Sequence, residues 1–179
     1  MPIRFETHAI TTDNESGIAT GWLPGKLSER GREAAARLGQ RRSADGIAAV
    51  YVSDLERAME TARLAFGGSD VAVFADTRLR ECNYGDLNGM PRARLEAERV
   101  DHVDDPWPEG EGYQDVVERT RGLLVDLGSR WGDRSRLLLI GHSANKWSLD
   151  HLLLGTPLAN LVAAGLRWQE GWEYVLPTR

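Results

Sequence analysis

Short apolar runs alternate along this chain with longer segments of helical periodicity. The runs at residues 47–52 and 136–140 are rich in β-branched residues or leucine, and each has the length of a buried strand. A helical pattern follows each run after a short turn. Strands that alternate with helices predict a three-layer α/β/α sandwich, in which helices cover both faces of a mostly parallel central sheet.

Three weaker strand patterns and five helical patterns complete this alternation. We expect strands at residues 3–7 and 71–74, and a last edge strand at residues 172–176. Helices are predicted to begin at Ser28 and Asp54, whose side chains can cap a helix N-terminus. The others are predicted at residues 92–100, at residues 113–131 and from Ser143 onward. The helix after Asp54 should direct five side chains toward the core, namely Leu55, Ala58, Met59, Ala62 and Leu64.

Length and composition narrow the class of protein and its partners. A length of 179 residues predicts a single domain over residues 1–179. The net charge of −5 gives no reason to expect nucleic acid or an anionic membrane as a partner. A single cysteine, Cys82, fits a reducing compartment. Because the N-terminus has no apolar signal region and no run reaches membrane-spanning length, we expect a cytoplasmic protein; its oligomeric state is not indicated.

Residues suited to handling a phosphoryl group lie where predicted strands end. They fall within four short stretches, residues 6–11, 53–58, 79–85 and 140–143. Open α/β sheets bind ligands at the carboxyl ends of their parallel strands. The sequence therefore predicts a phosphate site at this edge of the sheet.

His142 carries the strongest local signal in this pattern. It follows the most apolar predicted strand, and a helix is predicted to start directly after it. The free N–H groups of that helix could bind an anion next to the imidazole. Lys146, four residues later, would share a helical face with His142 and could add a positive charge. Alternatively, His142 only satisfies a buried carbonyl group and Lys146 is solvated.

His8 repeats this geometry at the end of the first predicted strand. By itself it could be a polar turn residue in a threonine-rich loop. If the strands before His8 and His142 are neighbours, however, both rings meet over one crevice. A neutral imidazole is a competent nucleophile near neutral pH, and a second imidazolium can stabilise the phosphate that it attacks.

Arg57 and Glu81 could supply a phosphate clamp and a proton donor. Arg57 lies in the first turn of a predicted helix, and its planar guanidinium matches phosphate oxygens. Alternatively, it is an exposed arginine paired with Glu56 or Glu60. Glu81 follows a predicted strand, and in a partly dry pocket its carboxyl group could protonate a leaving alkoxide. Alternatively, it caps a loop or pairs with Arg80.

Taken in order, these motifs resemble those of the histidine phosphatase superfamily, in its phosphoglycerate-mutase-like branch. The resemblance extends roughly from residue 3 to residue 151 and includes the helix start at residues 27–31 and the stretch at residues 53–62. It implies a phosphoglycerate-mutase-like fold, with His8 as the phosphorylated nucleophile and Arg57 and His142 as phosphate clamps. Glu81 would be the proton donor and later the base for water. Positions that touch substrate in such enzymes correspond to Asn14, Thr20, Gly21, Trp22 and Ser143.

The first motif departs from the family pattern at Thr7, where the family carries an arginine. Losing one donor to a transition state costs about 10²- to 10³-fold in rate. Lys146, or otherwise Arg4, could restore the missing charge; alternatively, the substrate differs or turnover is lost. Arg4 and Glu6 would lie on one face of a central strand, so we expect them to pair with each other or Glu6 to orient Arg57.

We interpret the chain as a phosphoric monoester hydrolase that acts on a small phosphorylated metabolite through a phosphohistidine, without a metal ion or cofactor. The sequence has no metal-ligand spacing such as Cys-x-x-Cys. The alternatives are a phosphomutase, which needs an extra lid, and a non-catalytic protein that binds a phosphorylated ligand. The substrate is not identified.

Most of the six tryptophans should pack in the core, although some could line the pocket. The acidic residues 101–111 should form a solvated loop or a lid.

Overall fold

The computed structural model describes residues 1–177. Its elements follow one another along the chain as strands, α-helices and short 3₁₀ turns. The strands are β1 (Pro2–Thr7), β2 (Ile18–Ala19), β3 (Ala49–Val52), β4 (Ala72–Ala75), β5 (Met90–Pro91), β6 (Leu137–Gly141) and β7 (Trp172–Val175). The α-helices are α1 (Thr12–Glu15), α2 (Glu29–Arg42), α3 (Glu56–Phe66), α4 (Arg92–Glu98), α5 (Tyr113–Arg130), α6 (Ser143–Leu154) and α7 (Leu158–Ala164).

Five of these strands form the central sheet, in the order β4-β3-β6-β1-β7. The four strands β4, β3, β6 and β1 run parallel, and β7 is antiparallel at one edge. The predicted mostly parallel α/β fold and the predicted last edge strand are therefore confirmed. In the register of β1 and β6, Thr7 lies beside Gly141, so both strands end at the same height and the residues that follow them are neighbours.

Alternating side chains of the sheet pack into two separate layers. Ile3, Phe5 and Leu139 face α5 and α6 in one apolar cluster, whereas Val50 and Ile140 face α2 and α3 in another. Because helices cover both faces, β6 is buried at every position, as its uninterrupted apolar run requires.

A third apolar cluster lies outside the sheet, beyond the carboxyl ends of the strands. It contains Tyr84, Trp107 and Tyr113, together with Trp147 of α6 and Val162 of α7. The small antiparallel pair of β2 and β5 joins it through Ala19 and Met90. These elements form a wall over the edge of the sheet where the phosphate site is predicted.

The polar face of β1 differs from our expectation. Arg4 and Glu6 do not pair with each other, and Glu6 does not orient Arg57. Instead, Glu6 is 4% exposed and accepts hydrogen bonds from Arg42 Nε at 2.9 Å and Arg41 Nη2 at 3.1 Å. Arg4 forms salt bridges with Asp45 and Glu173. Because α2 packs against the sheet, the two arginines at its C-terminus, Arg41 and Arg42, lie within hydrogen-bond distance of Glu6.

The start of α3 was also predicted wrongly in part. Its N-cap is Leu55, which makes no side-chain hydrogen bond to the helix. Asp54 does not cap the helix because both of its carboxylate oxygens accept hydrogen bonds from Arg80: Oδ1 from Nε at 2.7 Å and Oδ2 from Nη2. Ala58 and Ala62 are buried as predicted, whereas Met59 is exposed and Leu55 and Leu64 are only half-buried.

None of the helices within residues 1–177 combines the length and the apolar character that a membrane-spanning helix needs.

Candidate active site

The two histidines at the ends of β1 and β6 lie side by side. The amide of His8 donates to the carbonyl oxygen of Gly141 at 2.9 Å, which continues the β1–β6 ladder by one residue. The imidazole rings of His8 and His142 consequently have centroids 4.9 Å apart, with 55° between their planes. The predicted convergence of the two rings over one crevice is what the structure has.

Arg57 joins the two rings. It is 3% exposed, Nε donates to His8 Nε2 at 3.3 Å, and Nη2 approaches His142 Nδ1 at 3.3 Å. Nη2 also donates to the carbonyl oxygen of Gly21 at 2.8 Å. The alternative of an exposed arginine paired with Glu56 or Glu60 is wrong, because Glu60 pairs with Arg32 and Arg63 instead. The guanidinium thus faces the same space as both imidazoles.

These contacts define which nitrogen of each ring carries a proton. Nδ1 of His8 lies 2.7 Å from the carbonyl oxygen of Ala9, and a carbonyl oxygen only accepts. Nδ1 of His8 is therefore the donor, and Nε2 keeps its lone pair. In His142, Nδ1 faces the Arg57 donor and must accept, so Nε2 carries the proton toward Ser53 Oγ at 3.0 Å. Both rings are neutral in this arrangement.

Burial and the nearby guanidinium keep both rings neutral. Burial is the larger cause and the charge of Arg57 the smaller one, and together they lower the pKa of His8 from 6.5 to about 3. The same two causes, with His8 next, hold the pKa of His142 well below its ordinary value. A buried imidazole beside a cation binds a proton poorly, so His8 presents a lone pair at neutral pH.

Glu81 lies at the N-terminus of α6. Its Oε1 accepts from the amide of Cys82 at 2.9 Å and from the amide of Ala144 at 3.2 Å. Burial nevertheless raises the pKa of Glu81, although these amides and Arg57 oppose the shift. The alternative in which Glu81 pairs with Arg80 is wrong, because Arg80 binds Asp54. One α6 amide that we expected to face an anion thus anchors this carboxyl group.

Three residues that support this constellation were not predicted. Ser53 accepts the proton of His142 Nε2, and Asn145 Oδ1 caps the His142 amide at 2.9 Å. Arg119 donates to the carbonyl oxygens of Arg78, Arg80 and Glu81 and so fixes the loop that carries Glu81. The spacing of Asn145, three residues after His142, is a capping signal that was available in the sequence. For Arg119, on the distant helix α5, no local signal exists.

Of the five residues that the resemblance assigns to substrate contact, four line the same cavity as the histidines, namely Asn14, Thr20, Gly21 and Ser143, whereas Trp22 does not. Gly21 has a φ of 57°, a left-handed conformation that directs its carbonyl group to Arg57 and suits glycine. The side chain of Thr20 donates to Asp13 at 2.8 Å. Trp22 is held by its indole N–H, which donates to the carbonyl oxygen of Glu81 at 2.7 Å.

The two cations that we expected to replace the missing arginine lie elsewhere. Lys146 forms a salt bridge with Asp150 and lies over the ring of Trp172 at 5.3 Å. Its side chain follows α6 away from His142, so it does not line the cavity. Arg4, in the middle of β1, pairs with Asp45 and Glu173 and does not line the cavity either. Neither compensates for Thr7, and the expectation for Lys146 is wrong.

The cavity has a volume of about 630 Å³. Its charged walls are four arginines and three glutamates, namely Arg30, Arg57, Arg92, Arg99, Glu15, Glu81 and Glu96. Trp147 and Trp168 line it as well, whereas none of the acidic side chains of residues 101–111 does. The interpretation of that stretch as a lid is therefore wrong.

Among residues 1–177, no group of three or more histidine, cysteine or carboxylate side chains is placed to hold a metal ion.

Comparisons with known proteins identify a family and several relatives. A family model described as the histidine phosphatase superfamily (branch 1) matches residues 6–168. Glucosyl-3-phosphoglycerate phosphatase from Mycobacterium tuberculosis is 31% identical over 92% of this chain and 80% of the relative. A probable phosphoglycerate mutase GpmB from Cronobacter sakazakii is 30% identical over 88% of this chain and 76% of its own length.

Solved structures show the same likeness. YhfR from Bacillus stearothermophilus superimposes with a TM-score of 0.79 at 30% identity, over 89% of this chain and 83% of the other. A mycobacterial glucosyl-3-phosphoglycerate phosphatase superimposes with a TM-score of 0.79 at 28% identity, over 92% of this chain and 84% of the other.

Proposed function

The chain belongs to the histidine phosphatase superfamily, and from this premise we propose that it hydrolyses a phosphomonoester of a small metabolite through a phosphohistidine at His8. The observation that carries the proposal is the position of His8 Nε2, which lies 3.3 Å from Arg57 Nε, in the cavity that the ring of His142 also lines. A lone pair at this nitrogen is what an in-line attack on phosphorus requires.

The first step transfers the phosphoryl group to the protein. The Nε–H of Arg57 leaves His8 Nε2 for a phosphoryl oxygen, and the freed lone pair of Nε2 forms a bond to phosphorus while the bond from phosphorus to the ester oxygen breaks. His142 Nδ1, which is unprotonated and faces the same space, accepts a hydrogen bond from a protonated phosphoryl oxygen, and Arg57 offers N–H donors to the other phosphoryl oxygens. Such donors stabilise the charge that spreads over these oxygens. The leaving oxygen takes its proton from the carboxyl group of Glu81.

The second step restores the enzyme. Glu81, now a carboxylate, removes a proton from a water molecule, and the hydroxide attacks the phosphorus of the phosphohistidine. The bond between phosphorus and Nε2 breaks, and the electron pair returns to His8. The raised pKa of Glu81 suits a group that gives up a proton in one step and regains it in the next.

A phosphoenzyme test addresses this proposal directly. The protein is incubated with p-nitrophenyl phosphate in the presence of a chelator, and nitrophenol release and acid-labile, base-stable phosphoprotein are both measured. We expect turnover and a phosphoenzyme in the wild type and neither in His8→Ala. His151→Ala is the matched control, because the His151 ring binds the carbonyl oxygen of Thr156 and does not line the cavity. Turnover that survives in His8→Ala contradicts the proposal, as does turnover that the chelator abolishes.

Thr7 favours a second candidate, a protein that binds a phosphorylated ligand without turning it over. The family arginine is missing, and neither Lys146 nor Arg4 replaces it. Calorimetric titration with inorganic phosphate separates the two functions, since binding without nitrophenol release would favour the second. The likeness to a probable phosphoglycerate mutase adds a mutase as a variant of the first. A mutase returns the phosphoryl group to the product, whereas a phosphatase releases inorganic phosphate at every turnover.

A further inference from the structure

Glu81, the proton donor of the proposed reaction, lies in a segment without regular secondary structure. Residues 80–84 belong to neither a helix nor a strand. Within residues 1–177, the carbonyl oxygens of Arg78, Arg80 and Glu81 accept hydrogen bonds from side chains and from no backbone amide. A misplacement of about 1 Å can cost about 10²-fold in rate. The side chains that hold this segment therefore bear on whether Glu81 reaches the leaving oxygen.

Arg119 of α5 makes most of these contacts. Its Nη1 donates to the carbonyl oxygens of Arg78 at 2.7 Å and Arg80 at 2.8 Å, and its Nη2 donates to that of Glu81 at 2.9 Å. Nε and Nη2 also donate to the carboxylate of Glu111, at 3.0 Å and 3.2 Å. A guanidinium has five N–H donors, and these five hydrogen bonds use all of them. Because Arg119 also does not line the cavity, it is not placed to bind the substrate.

Glu111 extends these contacts to the other side of Glu81. Its Oε2 accepts from the amide of Asn83 at 2.9 Å, and its own amide donates to the carbonyl oxygen of Asn83 at 2.8 Å. Arg119 and Glu111 are both largely buried, with 16% and 20% of their side chains exposed. A bidentate pair of this kind has a narrow range of geometries. The two residues thus hold the backbone before, at and after Glu81.

The carboxyl group of Glu81 depends on this backbone position. Its Oε1 accepts from the amide of Cys82 within the segment and from the amide of Ala144 at the start of α6. The two donors belong to separate elements, so Oε1 contacts both only while the segment keeps its place against α6. Trp22 Nε1 also donates to the carbonyl oxygen of Glu81, but it binds this one oxygen, whereas Arg119 binds three carbonyl groups.

We propose that Arg119 and Glu111 form a positioning pair that holds the carboxyl group of Glu81 within reach of the leaving oxygen. This inference rests on the proposed function and extends it to esters whose alcohols are weak acids. A leaving alkoxide must be protonated, whereas a nitrophenolate leaves without a proton. The pair therefore contributes to the hydrolysis of alkyl phosphates and little to that of p-nitrophenyl phosphate. A pair that only stabilised the fold would affect both esters alike.

The test compares p-nitrophenyl phosphate with the unbranched alkyl phosphate that the wild type hydrolyses fastest. Its readout is kcat/KM, which covers the steps up to the phosphohistidine. Arg119→Lys keeps the charge but loses the planar fork of donors. We expect it to lower kcat/KM at least about tenfold for the alkyl ester and less than about threefold for the nitrophenyl ester. Arg121→Lys, which affects an exposed pair with Glu118 on the same helix, is the matched control and should leave both values unchanged.

A double variant shows whether the pair acts through Glu81. In the Glu81→Gln background, Arg119→Lys should change kcat/KM for the alkyl phosphate by less than about twofold, because there is no proton donor left to position. Losses that multiply would overturn the inference, as would equal losses for both esters in Arg119→Lys alone. Glu111→Gln should shift the ratio of the two esters in the same direction, and it replaces Arg119→Lys in every comparison if that variant does not fold.

Amide hydrogen exchange tests the pair without turnover. If no ester is hydrolysed, the proposed function fails, but the contacts of Glu81 can still be measured. In Arg119→Lys the amides of Cys82 and Ala144 should exchange at least about tenfold faster than in the wild type. The amide of Ser53, which donates to a carbonyl oxygen of β6, should keep its rate. Unchanged exchange at Cys82 and Ala144 overturns the inference, as does faster exchange at all three amides, which would mean a loss of overall stability only.

Discussion

Arg57 donates from Nε to the unprotonated nitrogen Nε2 of His8 across 3.3 Å. This one contact positions the ring and keeps the nitrogen free of a proton, because the cation disfavours a second positive charge beside it. The same guanidinium reaches His142. Arg57 therefore connects the proposed nucleophile to the second imidazole, and the predictions for the site begin with it.

Replacing Arg57 by lysine should lower kcat/KM for p-nitrophenyl phosphate by about 10²- to 10³-fold, close to the effect of Arg57→Ala, since removing a transition-state donor has this magnitude. A lysine retains the charge but cannot contact both imidazoles through separate nitrogens. Arg63→Lys on the exposed face of α3 is the control for steady-state kinetics. Near-normal activity in Arg57→Lys would show that the charge alone suffices.

Glu81→Gln should slow the hydrolysis of alkyl phosphates much more than that of p-nitrophenyl phosphate. A nitrophenolate leaves without a proton, whereas an alkoxide needs one, and general acid catalysis contributes about 10²- to 10⁴-fold. Glutamine keeps the acceptor for the amides of Cys82 and Ala144, so the loop should stay in place. Equal losses for both classes of ester, relative to a surface control such as Glu98→Gln, would remove Glu81 as the proton donor.

Acid should destabilise the fold between pH 6.5 and about 3, in part through the two site histidines. The pKa of His8 is lowered to about 3 and that of His142 is lowered as well. In this pH window the unfolded chain therefore binds more protons than the native state does. The free energy of unfolding consequently decreases as the pH falls. We compare the urea midpoints of the wild type and of the double variant His8→Asn/His142→Asn at pH 7, 5.5 and 4.5. The difference between the two midpoints should shrink as the pH falls. Parallel curves would contradict the prediction.

Removing the charge of Glu6 should cost about 3 kcal/mol of unfolding free energy, the lower end of the range for breaking a buried ion pair. In Glu6→Gln, Arg42 stays buried and retains Asp45, at 3.3 Å, as its one charged partner, besides the carbonyl oxygen of Glu170 at 3.2 Å. Glu98→Gln, which breaks an exposed pair with Arg94, should change stability by less than about 1 kcal/mol. Urea denaturation of the two variants gives both values, and equal effects would mean that burial of the Glu6 pair is unimportant.

Gly31→Ala should destabilise the protein and misplace the loop after His8. A Cβ atom at Gly31 would lie 1.9 Å from the backbone oxygen of Ile10, so α2 or that loop must move. Gly122→Ala in α5 meets nothing within 4 Å and should stabilise the helix by about 0.5–1 kcal/mol. Melting temperatures and phosphate affinity of both variants test this contrast; a Gly31→Ala protein with unchanged phosphate affinity would show that the loop tolerates the shift.

The sequence predicted the part of the site that depends on strand ends. Apolar runs define β1 and β6, and His8 and His142 follow them directly, so the convergence of the rings required only that the two strands be neighbours. Arg57, in the first turn after β3, follows from the same logic. These positions are fixed by short-range patterning and by the right-handed connections of a parallel sheet.

The sequence did not predict which charged side chains pair. Lys146 was expected at the phosphate, yet Asp150, four residues further along α6, binds it instead. Glu6 was expected near Arg4 or Arg57, but the packing of α2 brings Arg41 and Arg42 to it. Long side chains choose partners by the arrangement of whole elements, and no local pattern records that arrangement. Arg119 was missed for the same reason.

The central position of β6 in the sheet affects how the protein folds during its synthesis. As the ribosome extends the polypeptide, the first strand and Arg57 emerge early, but the gap beside them closes only when β6 inserts between β1 and β3. A nascent or truncated product that ends before His142 therefore holds only one of the two histidines of the cavity. Two fragments divided in the loop before β6 offer a natural pair for a complementation reporter, whose signal appears only on reassembly.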